Sequence, residues 1–441
     1  MIQARIDWAH AQMKDSAETP GSGAAYYVER LKKELPVLPF LALPFAEELS
    51  RRLKEYEPLL QRFSHMLLLG IGGSALGPRA LQRAFAPGQD RPGHTGRSVW
   101  IADNVHPEWL QEHLDKLPPE ETIVVVISKS GGTIETIAQY FLVLPWLKKH
   151  LPETWNEHLF MITDTEKGFL REEAEKYSLP SLPVPDNLGG RYSVLSAVGL
   201  VPAVFLGMDW EGLLRGALSV GRPLAEHPET LPEHPAWKLA RWAFQMSEEQ
   251  RDQIIFFCYI PDWSTFGPWF CQLWAESLGK DGKGTMPIPA TGVTDQHSLL
   301  QMFLDGPKNK GCIFVSSPAD TGILPLPEGL PASWTYLEGK SFGDILDAET
   351  LATRATLVEK GVPVVHLNMP DTSACSAGKM MMLLEAATIF TGWLMGINPV
   401  DQPAVENGKK LARARLGAPG SEEAAAKLKS FTSIPEDASE F

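Results

Sequence analysis

The residues best suited to chemistry in this sequence are a hydroxyl-rich glycine turn, a guanidinium beside a glycine pair and a carboxylate at the end of an apolar helix. The turn is Ser128-Lys-Ser-Gly-Gly-Thr133, continued by Ile134-Glu-Thr136. Four hydroxyls (Ser128, Ser130, Thr133, Thr136) and Lys129 surround two glycines where the pattern changes from strand to helix. A helix N-terminus carries orphan N–H donors and about half a positive charge, so an anion is welcome there. The turn therefore reads as a phosphate cradle. The plainer alternative is a strand–turn–helix connection in which Ser and Thr only cap the helix.

Arg191 is the only positive charge in Asp186-Asn-Leu-Gly-Gly-Arg-Tyr-Ser-Val-Leu-Ser-Ala-Val-Gly199. Glycines let a ligand approach the backbone closely, and a guanidinium can hold an oxyanion with two bonds; a surface Arg in a turn is the other reading. Glu276 ends the apolar run Trp269-Phe-Cys-Gln-Leu-Trp-Ala-Glu276. Bordered by Trp and Leu it would be desolvated, which raises a carboxyl pKa and makes a base usable near neutrality. A solvated acid near a helix C-terminus is the alternative, and an electrostatically poor place for one. His297 follows a Gly-containing loop, with Asp295 and Gln296 near enough in sequence to orient its ring. Lys409, in Gln402-Pro-Ala-Val-Glu-Asn-Gly-Lys409, reads equally as a solvated helix lysine.

Gly70-Ile-Gly-Gly-Ser74 follows a strand and opens a helix, and Gly70-x-Gly72-x-x-Ala75 fits the loose dinucleotide fingerprint. The acidic residue that fingerprint expects about twenty positions on is late here, at Asp103. Two such turns on neighbouring parallel strands suit one compact phosphomonoester better than an extended cofactor. HExxH, GxSxG and P-loop patterns are absent, and Glu, Asp and His do not cluster at metal-ligand spacing.

A net charge of −14 argues against a nucleic-acid backbone as partner. With 44% hydrophobic and 21% charged residues the 441-residue chain is long enough for two large domains. Cys258, Cys271, Cys312 and Cys375 form no CxxC pair and read as free thiols. The opening Met-Ile-Gln-Ala-Arg-Ile-Asp7 lacks the regions of a signal peptide, and no apolar run approaches a membrane span, so a cytoplasmic protein is expected.

The elements that must position these groups follow from periodicity. Residues 1–64 read as helical, with a loop at Pro20–Ala24 and Pro58 kinking or dividing the last helix. Strands are expected at Met66–Gly70, Ser98–Ala102, Thr122–Ser128 and His158–Thr163, alternating with helices at Ala75–Phe85, up to His150 and 168–177. After helices between 205 and 250, a second alternation follows. Its strands are Asp252–Cys258, Gly311–Val315 and Val362–Leu367, and its helices Trp263–Leu278, 344–360 and Ala374–Trp393. The fold expected is α/β: two tandem αβα sandwich domains with parallel sheets, at 65–204 and 205–400, plus an N-terminal helical segment (1–64) and a C-terminal helical tail (401–441). The last residues, Ile434–Phe441, read as an acidic loose end.

Six stretches resemble, in order, the glucose-6-phosphate isomerase family. They are Gly70–Ser74, Ser128–Thr136, Leu188-Gly-Gly-Arg-Tyr-Ser-Val-Leu-Ser-Ala-Val-Gly-Leu200, Glu276-Ser-Leu-Gly-Lys280, Asp295-Gln-His297 and Gln402–Lys409. The likeness runs from about residue 40 to 411. The Gly-Gly-Arg-Tyr-Ser and Gln-Pro-x-Val-Glu-x-x-Lys stretches are specific to that family, whereas the phosphate turn alone indicates the wider group of sugar-isomerase domains. The resemblance implies the sugar-isomerase, flavodoxin-like fold and an aldose–ketose shift between glucose 6-phosphate and fructose 6-phosphate through a cis-enediol. It implies Glu276 as the base, Arg191 facing the enediolate, and His297 and Lys409 at ring opening. It implies Ser128, Lys129, Ser130, Thr133 and Thr136 on the phosphate, and Gly73, Ser74 and Gln272 along the sugar. In this family the histidine reaches the site from a neighbouring subunit, so a homodimer is implied; no metal or redox cofactor is. Val400 stands where an aromatic is customary, and Leu278 where some members carry Asn. A non-catalytic sugar-phosphate sensor would lack the Glu276, His297 and Lys409 set, and an NAD-dependent oxidoreductase would have to be built on Gly70-x-Gly72.

Overall fold

Runs of buried β-branched and apolar residues make two sheets. The computed structural model of the chain describes residues 4–14, 23–320 and 323–431. Residues Met1–Gln3, the Pro20–Ser22 part of the expected loop and the acidic stretch 434–441 lie outside the described residues.

The first sheet holds β2 (His65–Leu69), β3 (Ser98–Ala102), β4 (Thr122–Ser128), β5 (Leu159–Thr163) and β6 (Ser181–Pro183), all parallel, in the order β3-β2-β4-β5-β6. Every residue of β4 is buried, as a strand covered on both faces by helices requires. The chain leaves β2 to build β3 on one side and then lays β4 on the other. That reversal leaves a crevice beyond the carboxyl ends of β2 and β4, the place where open parallel sheets bind ligands.

The second sheet holds β1 (Arg5–Asp7), β7 (Gln253–Cys258), β8 (Met286–Thr291), β9 (Lys310–Ser316) and β10 (Val364–Asn368), in the order β1-β10-β9-β7-β8. Its strands are parallel except β1, which pairs antiparallel with β10. The amino-terminal segment is therefore not helical throughout. Three residues carry no local pattern of their own, and their partner strand lies at the far end of the chain. Pro58 sits inside an uninterrupted helix, Glu47–Leu60, rather than dividing it. The proline denies the helix the one N–H bond that would have reached back to Lys54, and the helix ends two residues later.

Ala374–Leu394 is apolar all round and almost wholly buried, which a helix of that composition must be. Both sheets and this helix fall in one compact unit, Met1–Pro399. A second unit, Val400–Phe441, carries the helices Glu406–Arg415 and Glu422–Leu428. Among the described residues no helix is long and apolar enough to cross a membrane.

Candidate active site

The turn after β2 has to pass against another backbone, and its glycines permit it. Gly72 adopts φ +57°, a left-handed conformation that costs other residues about 1–2 kcal/mol. A Cβ on Gly73 would stand 2.2 Å from the carbonyl oxygen of Gly190 and 2.9 Å from the amide nitrogen of Arg191. A Cβ on Gly72 would lie 3.0 Å from Nε2 of Gln272. Three stretches far apart in sequence thus converge at the first of the two turns.

Gln272 and Glu276 sit one turn apart on one face of the helix Phe266–Leu278. Gln272 Nε2 donates to Glu276 Oε1 at 3.0 Å, and Arg191 Nη1 donates to Glu276 Oε2 at 3.4 Å. Arg191 is buried, its side chain 1% exposed against 32% for Glu276. Its Nε donates to Ser277 Oγ at 2.7 Å and its Nη2 to the carbonyl of Pro399 at 2.8 Å. The surface-turn alternative for Arg191 is thus excluded. The desolvated setting expected for Glu276 is not what is found: Trp274 and Leu278 are buried in the core, while Glu276 keeps about a third of its surface. Residues two apart on a helix point to opposite sides, so apolar neighbours in sequence are not neighbours in space. A carboxylate beside a guanidinium and open on one side can take a proton from a carbon acid and return it.

The second turn leaves the adjacent strand β4. Gly131 adopts φ +62° and packs closely on Gly168. The Ser128 and Thr133 hydroxyls meet at 2.9 Å, so Thr133 stands at the cap position of the helix Ile134–His150 without capping it. Ser130 is exposed and its Oγ accepts from Gly132 N at 3.3 Å. Thr136 is buried and its hydroxyl has no hydrogen-bond partner. Burial pushes the Lys129 ammonium below its ordinary pKa, opposed by the nearby Asp186 and Asp164 carboxylates. Helix-start amides, a cluster of hydroxyls and a half-buried ammonium are thus gathered at one turn, groups of the kind an oxyanion accepts bonds from.

Two further expected residues stand on other elements. His297 is exposed at the end of the short turn Thr294–His297. Asp295 does not orient it: its carboxylate accepts from Thr291 N at 2.7 Å and Ser298 Oγ at 2.6 Å, while Gln296 donates to the Tyr259 hydroxyl at 2.7 Å. Lys409 belongs to the second unit, on the helix Glu406–Arg415, where it pairs with Glu406 at 2.7 Å. Ser74 opens the helix Gly73–Phe85, half-buried. Asp103, the residue a dinucleotide ribose would need, is paired with Arg79 at 2.7 Å. Among the described residues no group of three or more His, Cys, Asp or Glu is placed to hold a metal ion.

The sequence profile described as Phosphoglucose isomerase matches residues 59–317. The glucose-6-phosphate isomerase of Rubrobacter xylanophilus is 41% identical over 359 residues, covering 80% of this chain and 82% of that protein. The chain belongs to the phosphoglucose isomerase family. A glucose-6-phosphate isomerase of Thermus thermophilus is 38% identical over 388 residues, 86% of this chain and 90% of that protein. The fold is likewise that of a crystal structure of a hypothetical protein from Thermus thermophilus, with a TM-score of 0.82 at 34% identity, covering 94% of this chain and all of that one.

Seen as a member of the phosphoglucose isomerase family, the chain contains three groups that sequence reasoning passed over. Ser277 and Tyr192 are buried, and their hydroxyls meet at 2.9 Å behind Arg191. The carbonyl of Pro399 takes the Arg191 Nη2. A buried serine next to a carboxylate looks like any core residue; the usable signal was that Ser277 and Tyr192 each directly follow a candidate site residue.

Proposed function

We propose that the chain interconverts glucose 6-phosphate and fructose 6-phosphate as a glucose-6-phosphate isomerase. The observation that carries this reading is Glu276 fixed between Gln272 at 3.0 Å and the buried guanidinium of Arg191 at 3.4 Å, beside a glycine turn. In the proposed reaction Glu276 moves a proton between C2 and C1. The cis-enediolate that forms in between develops negative charge, which the Arg191 guanidinium offsets. The phosphate is held by Ser128, Lys129, Ser130, Thr133 and Thr136, and the sugar runs past Gly73, Ser74 and Gln272. Anchoring the phosphate at a distance lets its binding energy position C1 and C2 against the base.

Ring opening needs an acid–base pair that the Arg191–Glu276 cluster does not contain. We assign it to Lys409 and to His297 of the partner subunit, which makes the working form a homodimer; an exposed histidine on a short turn suits a residue offered to another chain. No metal or redox cofactor enters this scheme, and the place of work is the cytoplasm. The test is a coupled spectrophotometric assay on fructose 6-phosphate with the wild type and Glu276→Gln. Loss of a general base costs about 10²–10⁴-fold, so the variant is expected to fall by at least that in kcat. Activity within a few-fold of wild type would remove Glu276 from its role.

A further inference from the structure

Behind the guanidinium stand two hydroxyls that none of the steps above uses. We propose that Ser277 and Tyr192 form a positioning pair for Arg191, fixing the plane of its guanidinium toward the reacting carbons. This rests on the isomerase reading for its kinetic consequences.

The geometry is a closed ring of contacts. Arg191 Nε donates to Ser277 Oγ at 2.7 Å, Ser277 Oγ lies 2.9 Å from the Tyr192 hydroxyl, and the Pro399 carbonyl accepts Arg191 Nη2 at 2.8 Å. The Tyr192 hydroxyl also points at that carbonyl, at 3.4 Å. A guanidinium is planar and rigid, so acceptors on Nε and Nη2 define its plane and leave Nη1 directed at Glu276. Hydroxyl and carbonyl acceptors do this without adding a charge.

Ser277 is wholly buried and Tyr192 nearly so, and a buried hydroxyl is costly unless it is bonded. Position 277 directly follows the base, so a movement of the helix end carries base and brace together. Tyr192 directly follows Arg191 in the same way. Burial pushes the Tyr192 phenol up to about 12, so it remains a neutral donor wherever the enzyme works. A side chain that served only to fill space here would need no oxygen at either position.

The experiment measures kcat, KM and Tm for Ser277→Ala and Tyr192→Phe in the wild type, and for Ser277→Ala again in an Arg191→Lys background. Ser277→Ala is expected to lower kcat about tenfold with KM within about twofold, since misplacing a catalytic group by a fraction of an ångström is worth that much. Tyr192→Phe, one bond further away, is expected to cost about threefold. In the Arg191→Lys background Ser277→Ala is expected to cost less than about twofold, because lysine has no Nε–H to place. An equal loss in both backgrounds, or an unchanged kcat in the wild type, would overturn the pair. A second readout needs no turnover: solvent exchange of the Arg191 Nε–H followed by NMR. It should speed up at least about tenfold in Ser277→Ala, as expected for a lost buried hydrogen bond, and unchanged exchange would overturn the proposal. If the wild type fails to isomerise, the functional reading falls while this measurement still decides the brace.

Discussion

The two sheets are wound alike and end differently. In each, the chain lays one strand on one side of the first and then reverses: β2 lies between β3 and β4, and β7 between β8 and β9. Each reversal opens a crevice at the carboxyl ends. In the first sheet the two central strands run into Gly70-Ile-Gly-Gly-Ser and Ser128-Lys-Ser-Gly-Gly-Thr, and the Thr136 hydroxyl behind them is left without a partner. In the second they run into Tyr259-Ile-Pro-Asp and Ser316-Ser-Pro, which hold no glycine pair. Ser316 Oγ meets His366 Nε2 at 2.8 Å, Arg354 bonds the other ring nitrogen, and the Tyr259 hydroxyl accepts from Gln296. Topology makes the crevice twice, and two glycine pairs with a group of hydroxyls mark the first of them.

The sharpest way to break that contrast is to give the first sheet a side chain at its turn. Gly73→Ala puts a Cβ 2.2 Å from the Gly190 carbonyl, backbone against backbone, with no flexible group to yield. Separating the turn from Arg191 is expected to lower kcat/KM by at least about 100-fold, the scale of an ångström-sized displacement at a reacting centre. Near-normal turnover would mean that the close approach is dispensable. A smaller effect is expected from the hydroxyls. Thr133→Val keeps the shape and removes the oxygen that meets Ser128. A hydrogen bond to a charged group is worth roughly 1.5–3 kcal/mol, and taking the low end for one hydroxyl among several, kcat/KM on the phosphorylated sugar is expected to fall about 10- to 20-fold. Unfolding monitored by circular dichroism should show a loss of about 1–3 kcal/mol, since the buried Ser128 hydroxyl loses its partner, and an unaltered kcat/KM would move the phosphate elsewhere.

The same contrast explains which parts of the molecule were readable in the sequence. β4, β7 and β9 are continuous apolar runs because both faces are covered, and their bounds lie within a residue or so of those expected. β8 was missed because Pro287 and Pro289 alternate through it. Prolines are tolerated there since β8 is an edge strand, where the missing N–H need not serve the ladder. β1 is visible only through its tertiary partner. In the site, Arg191 and Glu276 could be named from motif positions and Gln272 from the family resemblance, and Glu276 accepts from both of the others. The environment of Glu276 could not, because sequence adjacency to Trp274 says nothing about a residue on the other side of a helix. The Ser277–Tyr192 bracing was hidden for a related reason: it joins positions 85 apart through two hydroxyls of no distinctive type.

The smallest effect on catalysis, and a useful control, belongs to the second sheet. With Arg354 donating to Nδ1, the neutral His366 ring carries its proton on Nε2 and donates it to Ser316. Burial, aided by the Arg354 charge and opposed by Asp7, pushes His366 from 6.5 down to about 4. A histidine depressed in this way binds its proton more readily in the unfolded chain. Its contribution is therefore present above pH 6.5 and lost as the pH falls from there toward 4. Denaturant unfolding at pH 7 and pH 5 should show the wild type losing about 1–2 kcal/mol more than His366→Gln over that interval. His234, which burial also depresses to about 4, is present in both proteins and cancels in the difference. Isomerase activity at pH 7 should stay within about twofold, because His366 bonds Ser316 and Arg354, neither of them assigned to the sugar. An equal pH dependence in the two proteins would show that the ring is not held neutral. A large loss of activity would show instead that the second crevice is coupled to the first, and the division drawn between them would have to be redrawn.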